Sequence, residues 1–273
     1  MKILTLNTHS LSEEDGDRKR RIIARYIADN DIDIVTLQEV CQTIDKNRVK
    51  PDNLFKGENS SNIKEDNFAL ALIDDIKGLG KKYEWNWIPV KIGYGKYDEG
   101  LAILSKHPIL SYENILLTKT SDFSFWKKRN ALGVQILYDN TPFWVYTTHM
   151  GWWNDEDEPF LYQWHCLDKH LHTKKGKIVL TGDFNAPDDI ECQSYDSVIK
   201  SGWFDTFYLA NGSYGMATAL GKIDGWKDNQ ISSMRIDYIF SNVNINVKRH
   251  EVVFDGTNEE IVSDHFGILM EEE

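Results

Sequence analysis

The chain has 273 residues, 41% of them hydrophobic and 27% charged, with 31 basic side chains against 43 acidic ones and a formal charge of −12. That composition excludes general disorder and suffices for a large buried core. It also argues against a default binder of long nucleic acid, whose affinity rests mainly on Lys and Arg meeting phosphates.

Lys2 to Leu6 and Ile32 to Leu37 are apolar runs without clean alternation, the pattern of strands buried on both faces. Between them Ile22, Ile23, Tyr26 and Ile27 repeat at helical spacing behind the charged run Arg18 to Arg21, predicting strand–helix–strand with the basic run solvated. Gln42 to Asp66 reads as a long polar loop, and Phe68 to Ile76 as a helix ending near Gly78 and Gly80. Strands are predicted at Tyr83 to Lys91, Leu101 to Leu104, Ile109 to Leu117, Ala131 to Leu137 and Phe143 to Thr148. Phe160, Trp164, Leu167 and Leu171 share one helical face, bounded by Pro159 and Gly176. A strand at Lys177 to Leu180, a helix at Ser194 to Lys200 and strands at Arg235 to Phe240, Asn246 to Phe254 and Phe266 to Met270 complete the order. With no linker or repeat, one domain over 1–273 is the simplest reading, with two packed sheets flanked by helices.

Cys41, Cys166 and Cys192 form no Cys-x-x-Cys pair, so neither a disulfide framework nor a structural zinc site is expected. The apolar start is too short for a signal peptide and no stretch reaches membrane-span length, so the expectation is a cytoplasmic protein, with a monomer favoured.

The polar residues at strand ends are the informative pattern. Asn7 ends the first strand, Glu39 the second, and His149 follows Thr147-Thr148. Asp183 and Asn185 lie in Gly182-Asp183-Phe184-Asn185, Asp237 inside an apolar strand, and Asp264-His265 at the start of the last. Each alone reads as a turn or a satisfied core residue, but strand ends feed the loops where sites are built. A polar side chain inside an apolar strand needs a partner if buried.

Taken together, Leu6-Asn7, Leu37-Gln38-Glu39, Glu99-Gly100-Leu101-Ala102-Ile103-Leu104-Ser105, His149, Gly182-Asp183-Phe184-Asn185, Ile236-Asp237-Tyr238-Ile239 and Ser263-Asp264-His265 resemble the endonuclease/exonuclease/phosphatase (DNase I-like) superfamily. The resemblance runs over nearly the whole chain. It implies a four-layer α/β/β/α sandwich, two mostly antiparallel sheets flanked by helices, with the site at one rim.

Hydrolysis of a phosphoric ester needs charge stabilised on phosphate oxygens and an oriented water. A hard cation, Mg²⁺ or alternatively Mn²⁺, prefers oxygen ligands, for which Glu39, Asn7 and Asp264 are the candidates. Zinc would call for Cys or three His ligands. Asp183 fits the general base and Asn185 a phosphate contact. His265 oriented by Asp237 and His149 held by Glu99 would supply two imidazoles. Arg129, in Lys127-Lys128-Arg129, and His9 are further candidates to line the site.

Gly151-Trp152-Trp153 is followed by the acids Asp155 to Glu158. Tandem Trp is either core packing or a platform for a ring, and the acids would repel a polymeric phosphate backbone. This segment, with Phe160-Leu161-Tyr162-Gln163-Trp164, is similar to a bacterial subgroup of the superfamily that includes maltose 6'-phosphate phosphatase. The resemblance implies a Mg-dependent phosphomonoesterase acting on a small sugar phosphate, with no membrane and no nucleic-acid partner. A nuclease or other phosphodiesterase is the alternative, and a non-catalytic regulatory protein on the same fold is a third reading.

Overall fold

The computed structural model describes residues 1–58, 62–153, 155–189, 194–221, 233–257 and 259–273. In chain order the elements are β1 (Lys2–Asn7), a 3₁₀ turn (Ser10–Ser12), α1 (Gly16–Asp29), β2 (Ile34–Thr43), α2 (Phe68–Gly78), β3 (Glu84–Gly93), β4 (Tyr97–Ser105), β5 (Ile109–Leu116), β6 (Asn130–Tyr138) and β7 (Thr141–His149). They continue with α3 (Phe160–Leu171), β8 (Ile178–Asp183), α4 (Ser194–Lys200), β9 (Phe204–Asp205), α5 (Thr206–Leu209), β10 (Ser213–Tyr214), β11 (Ala219–Leu220), β12 (Ser233–Met234), β13 (Asp237–Ser241), β14 (Val247–Val253) and β15 (Gly267–Glu272).

Among the described residues, one sheet runs β10-β14-β15-β1-β2-β4-β3 and the other β5-β6-β7-β8-β13-β9, with β11-β12 a small separate ladder. Pairing is mostly antiparallel. Of the three parallel pairs among the described strands, β1–β2 and β7–β8 are joined through α1 and α3, as parallel neighbours require a crossover, and the third is β10–β14. Three apolar layers explain the order. Leu4, Leu6, Val35 and Leu37 face α1 and α2, through Ile23, Ile27, Leu72 and Ile76. Ile3, Ile34, Leu101 and Ile103 meet Leu132, Val145, Val179 and Ile239 between the sheets. Leu180, Tyr146 and Phe240 face Phe160, Trp164 and Leu167 of α3 and Val198 of α4. Alternate residues of β1 thus enter different layers, which is why its sequence shows no polar face.

The expected four-layer sandwich is observed, with differences at element ends. β2 runs past Glu39 to Thr43, and its register with β4 shifts between Leu37 and Val40. Glu39 therefore sits at a bulge inside the strand, with φ 53°, rather than at its end. β13 begins at Asp237, and β15 begins only after His265. The segment 43–66 is no free loop. Leu54, Phe55 and Ile63 are buried against the first sheet and Arg48 bridges Lys64, while 59–61 lie outside the described residues. Its polar composition hid the three apolar anchors. Cys41 and Cys166 are free thiols, and Cys192 lies outside the described residues. No helix among the described residues is long and apolar enough to cross a membrane.

One core group has a consequence for acid stability. His250 of β14 is buried against the ring of Phe207, and neither ring nitrogen has a hydrogen-bond partner among the described residues. Burial first, and nearby Arg235 second, push its pKa down to about 3. The folded state therefore resists protonating a group that the unfolded chain protonates near 6.5, and stability is lost as pH falls from 6.5 towards 3. At pH 4.5 this amounts to roughly 3 kcal/mol at most, two pH units below the unfolded value. His250→Leu is expected to flatten the fall in urea midpoint between pH 7 and 4.5, and an unchanged pH slope would refute the assignment.

Candidate active site

Register across the second sheet builds one wall of the site. His149 at the end of β7 pairs with Asp183 at the end of β8, which pairs with Asp237 at the start of β13. Three chemistry-bearing residues, far apart in sequence, therefore stand in one row. The first sheet supplies the facing wall. Its Asn7 amide donates to Glu39 Oε1 at 3.0 Å and to Asp183 Oδ2 at 3.1 Å, tying the two sheets together at the rim. Gln38 Nε2 donates to Thr147 Oγ1 at 2.7 Å just below. The Ser263 hydroxyl donates to the Asn7 carbonyl at 2.7 Å, anchoring the segment that carries Asp264 and His265.

Asp237 is held by its own N–H, which donates to Thr218 Oγ1 at 3.1 Å. Its Oδ2 lies 2.9 Å from His265 Nδ1, and His265 Nε2 points to Asp183 Oδ2 at 3.7 Å. Burial alone would lower the His265 pKa, but Asp237 and then Asp183 hold it up at about 10, so the ring is cationic. The Asp183 pKa rises as well. Burial, against His265 and with Asp237, raises its carboxyl to about 7. Its Oδ1 accepts the Asn185 N–H at 2.8 Å. The second ring differs in state: burial, Arg129, Lys91 and His265 push His149 well below 6.5, so it is neutral. His149 Nε2 lies 3.6 Å from Asp183 Oδ2.

These groups open on a cavity of about 380 Å³ lined by Glu39, His149, Asp183, Asn185, Asp264 and His265, with His9, Arg129 and Trp152 also in its walls. Several expectations need correction. Glu99 lines the cavity but pairs with Lys91 at 3.1 Å; His149 Nδ1 has no hydrogen-bond partner among the described residues, so the expected Glu99–His149 bond is not formed. Lys91 on the neighbouring strand competes for the carboxylate as a cation, which neutral His149 is not. Asn7, expected as an oxygen ligand, turns its N–H groups to the acids and its Oδ1 to the His9 N–H at 3.2 Å.

Both tandem tryptophans pack against Ala219, Met234 and Ile236, but only Trp152 also lines the cavity. The partner of Trp152 is Trp126, 5.5 Å away between ring centroids and half exposed. The basic triplet also splits. Lys127 binds Asp155 and Asp157 at 2.7 and 2.6 Å, and Lys128 donates to the Val90 carbonyl. Only Arg129 reaches the cavity, 6.0 Å from the Trp152 ring. Buried Glu158 accepts the Lys119 N–H at 2.9 Å. Asp155 and Glu158 are thus turned into the protein, whereas Glu156 and Asp157 stay exposed, so the repulsive patch that the sequence suggests is reduced but not removed.

Lys91, Tyr94 and Trp126 line the cavity without having been anticipated. A single Lys among Val90 and Ile92, and the aromatic cluster Phe123 to Trp126, were the available signals. Tyr94 sits in a turn at φ 52°, a feature that its sequence does not announce.

Residues 4–265 match the Endonuclease/Exonuclease/phosphatase family. The chain belongs to that family. Members of the Endonuclease/Exonuclease/phosphatase family are phosphoric-ester hydrolases, phosphatases and nucleases among them. A family protein from Leptotrichia buccalis C-1013-b is 32% identical with a TM-score of 0.87, over 100% of this chain and 99% of that one. A mannosyl-6-phosphatase from Bacteroides thetaiotaomicron VPI-5482 has a TM-score of 0.69 at 18% identity, over 100% and 99% of the two chains. TDP2 of D. rerio, complexed with single strand DNA product, gives 0.67 at 16% identity over 99% and 97%. The curated proteins gave no match.

The family's enzymes generally depend on a divalent metal, and the residues here fit one. Burial, Glu99 and Asp264 all raise the Glu39 carboxyl pKa, so acids converge with too little positive charge between them. The donors are carboxylate oxygens, as a hard cation prefers.

Proposed function

We propose that this chain is a metal-dependent phosphomonoesterase acting on a small sugar phosphate. The observation that carries the reading is Arg129. Its side chain is 3% exposed, lines the acidic cavity, and has no ion-pair or hydrogen-bond partner among the described residues. Glu99 and Asp183 act on this buried guanidinium only from beyond ion-pair distance, which leaves its fork for an anion, and that fork suits phosphate.

The roles follow from the geometry. Arg129 and cationic His265 receive the phosphoryl oxygens, with Asp237 holding the ring in place. Asp183, at the centre of the row and with its pKa near neutrality, takes the proton of the attacking water. Asn7 and Asn185 orient Asp183. A divalent ion held by Glu39 and Asp264 would stabilise negative charge on the phosphate. Trp126 and Trp152 offer an apolar wall to a sugar ring. The likeness to a mannosyl-6-phosphatase supports a sugar phosphate as substrate class.

The test is phosphate release from hexose 6-phosphates and maltose 6'-phosphate with Mg²⁺ or Mn²⁺, beside cleavage of single-stranded and duplex DNA. Release from a sugar phosphate, abolished by chelator, is expected. DNA cleavage without phosphate release would replace this reading with a nuclease, which the internal pairing of Asp155 and Asp157 leaves electrostatically open. Arg129→Met is expected to lower kcat/KM about a hundredfold, the scale of one lost oxyanion donor.

The aromatic wall gives a separate expectation. Trp126→Ala should raise KM for the sugar ester about fivefold, the equivalent of ~1 kcal/mol of ring contact, and leave methyl phosphate unaffected. Trp153→Ala should lower thermal stability instead, since that ring packs on Ala219, Met234 and Ile236. Equal KM changes for both esters in Trp126→Ala would exclude a ring platform.

A further inference from the structure

Beyond the Glu39 carboxylate, the chain leaving β1 places an imidazole among acids. His9 takes φ 44°, a conformation that non-glycine residues rarely adopt. Its Nδ1 lies 2.8 Å from Glu13 Oε1 and 3.9 Å from Asp264 Oδ1. One donor atom each from His9, Glu13 and Asp264 all lie within 4.8 Å of one another. Lys19 engages the other Glu13 oxygen, leaving Oε1 towards the ring. On the far side, Nε2 meets the Tyr94 hydroxyl at 3.3 Å. A polar partner on one ring nitrogen fixes the tautomer that frees the other as a ligand, the usual arrangement of metal-binding imidazoles.

We propose that His9, Glu13 and Asp264 form a mixed nitrogen–oxygen cation site, contiguous with Glu39 across Asp264, and that the His9 nitrogen makes it select Mn²⁺ over Mg²⁺. The inference rests on the metal-dependent reading above. Mg²⁺ favours oxygen and retained water, whereas imidazole raises affinity for later divalent ions. Asp264 belongs to both sets of acids, so one cation can be shared or a second placed beside the first. Without a cation, a proton on Nδ1 satisfies the same acids, so cation and proton compete for one position.

The test needs no turnover. Mn²⁺ binding to the full chain is followed by electron paramagnetic resonance of free Mn²⁺, with Mg²⁺ as competitor, and bound Mn²⁺ is examined for ¹⁴N coupling in the electron spin echo. Wild type should show imidazole coupling. His9→Asn should lose it and bind Mn²⁺ at least about tenfold more weakly, with Mg²⁺ affinity changed far less. His9→Gln serves the same purpose if the Asn variant does not fold. Absence of nitrogen coupling in wild type overturns the proposal irrespective of any variant. So does coupling that persists, or an unchanged Mn²⁺/Mg²⁺ ratio, in a folded His9 variant. A protein that shows the coupling but hydrolyses no phosphate ester would sink the functional reading and leave this site standing.

Discussion

Asp183→Asn is expected to lower kcat by about a hundredfold or more, with KM for the sugar phosphate little changed, the scale of a lost general base. Asp183 is the convergence point of the site. Its Oδ2 accepts from Asn7 and faces His149 and His265, and its Oδ1 accepts the Asn185 N–H. The substitution keeps shape and removes the carboxylate of that row whose pKa, about 7, suits it to take a proton from water at neutral pH. The amide also sets a second NH₂ against Asn7, whose own donors already point there. Steady-state kinetics on the folded variant decide the matter, and retention of more than a tenth of kcat would remove Asp183 from the base role.

The second large effect concerns the buried pair. His265→Ala should cost about a hundredfold in kcat, as a lost charge-stabilising group does. Asp237→Asn should act through the same ring, because Asp237 Oδ2 meets His265 Nδ1 at 2.9 Å while its Oδ1 has no hydrogen-bond partner among the described residues. The double variant is therefore expected to be little worse than His265→Ala alone, a strongly non-additive cycle. Multiplicative losses would mean that Asp237 contributes independently, by touching the substrate or by stabilising the fold. Thermal melts of all three variants separate the last case from the others.

Much of the fold was legible because its signals are local. The apolar runs of β1 and β2, the helical spacing of Ile23 and Ile27, and that of Phe160, Trp164 and Leu167 follow from burial on two faces or one. What was not legible depended on long-range packing. The two-residue strands β9 to β12 carry too few residues to show a period. The bulge at Glu39 arises from a register shift against β4, which no property of Leu37-Gln38-Glu39 announces. In the segment 43–66, Leu54, Phe55 and Ile63 are too scattered among polar residues to read as anchors.

Family, element order and the residue types of the site can be read from local pattern, because Asn7, Glu39, His149, Asp183, Asp237 and His265 stand at or near the ends of strands that burial defines. Which of these touch depends on packing between strands and loops far apart in the chain. Register set His149, Asp183 and Asp237 in one row across β7, β8 and β13. The β3–β4 register gave Glu99 to Lys91, while packing of separate loops placed Trp126 rather than Trp153 beside Trp152 and set Lys127 between Asp155 and Asp157. The physical reason is the same in each case. Hydrophobic burial acts on each strand through its own side-chain pattern, whereas a buried charge or ring takes whichever partner the sheet edges and loops bring within a few ångströms, and those partners lie eight to more than fifty residues away.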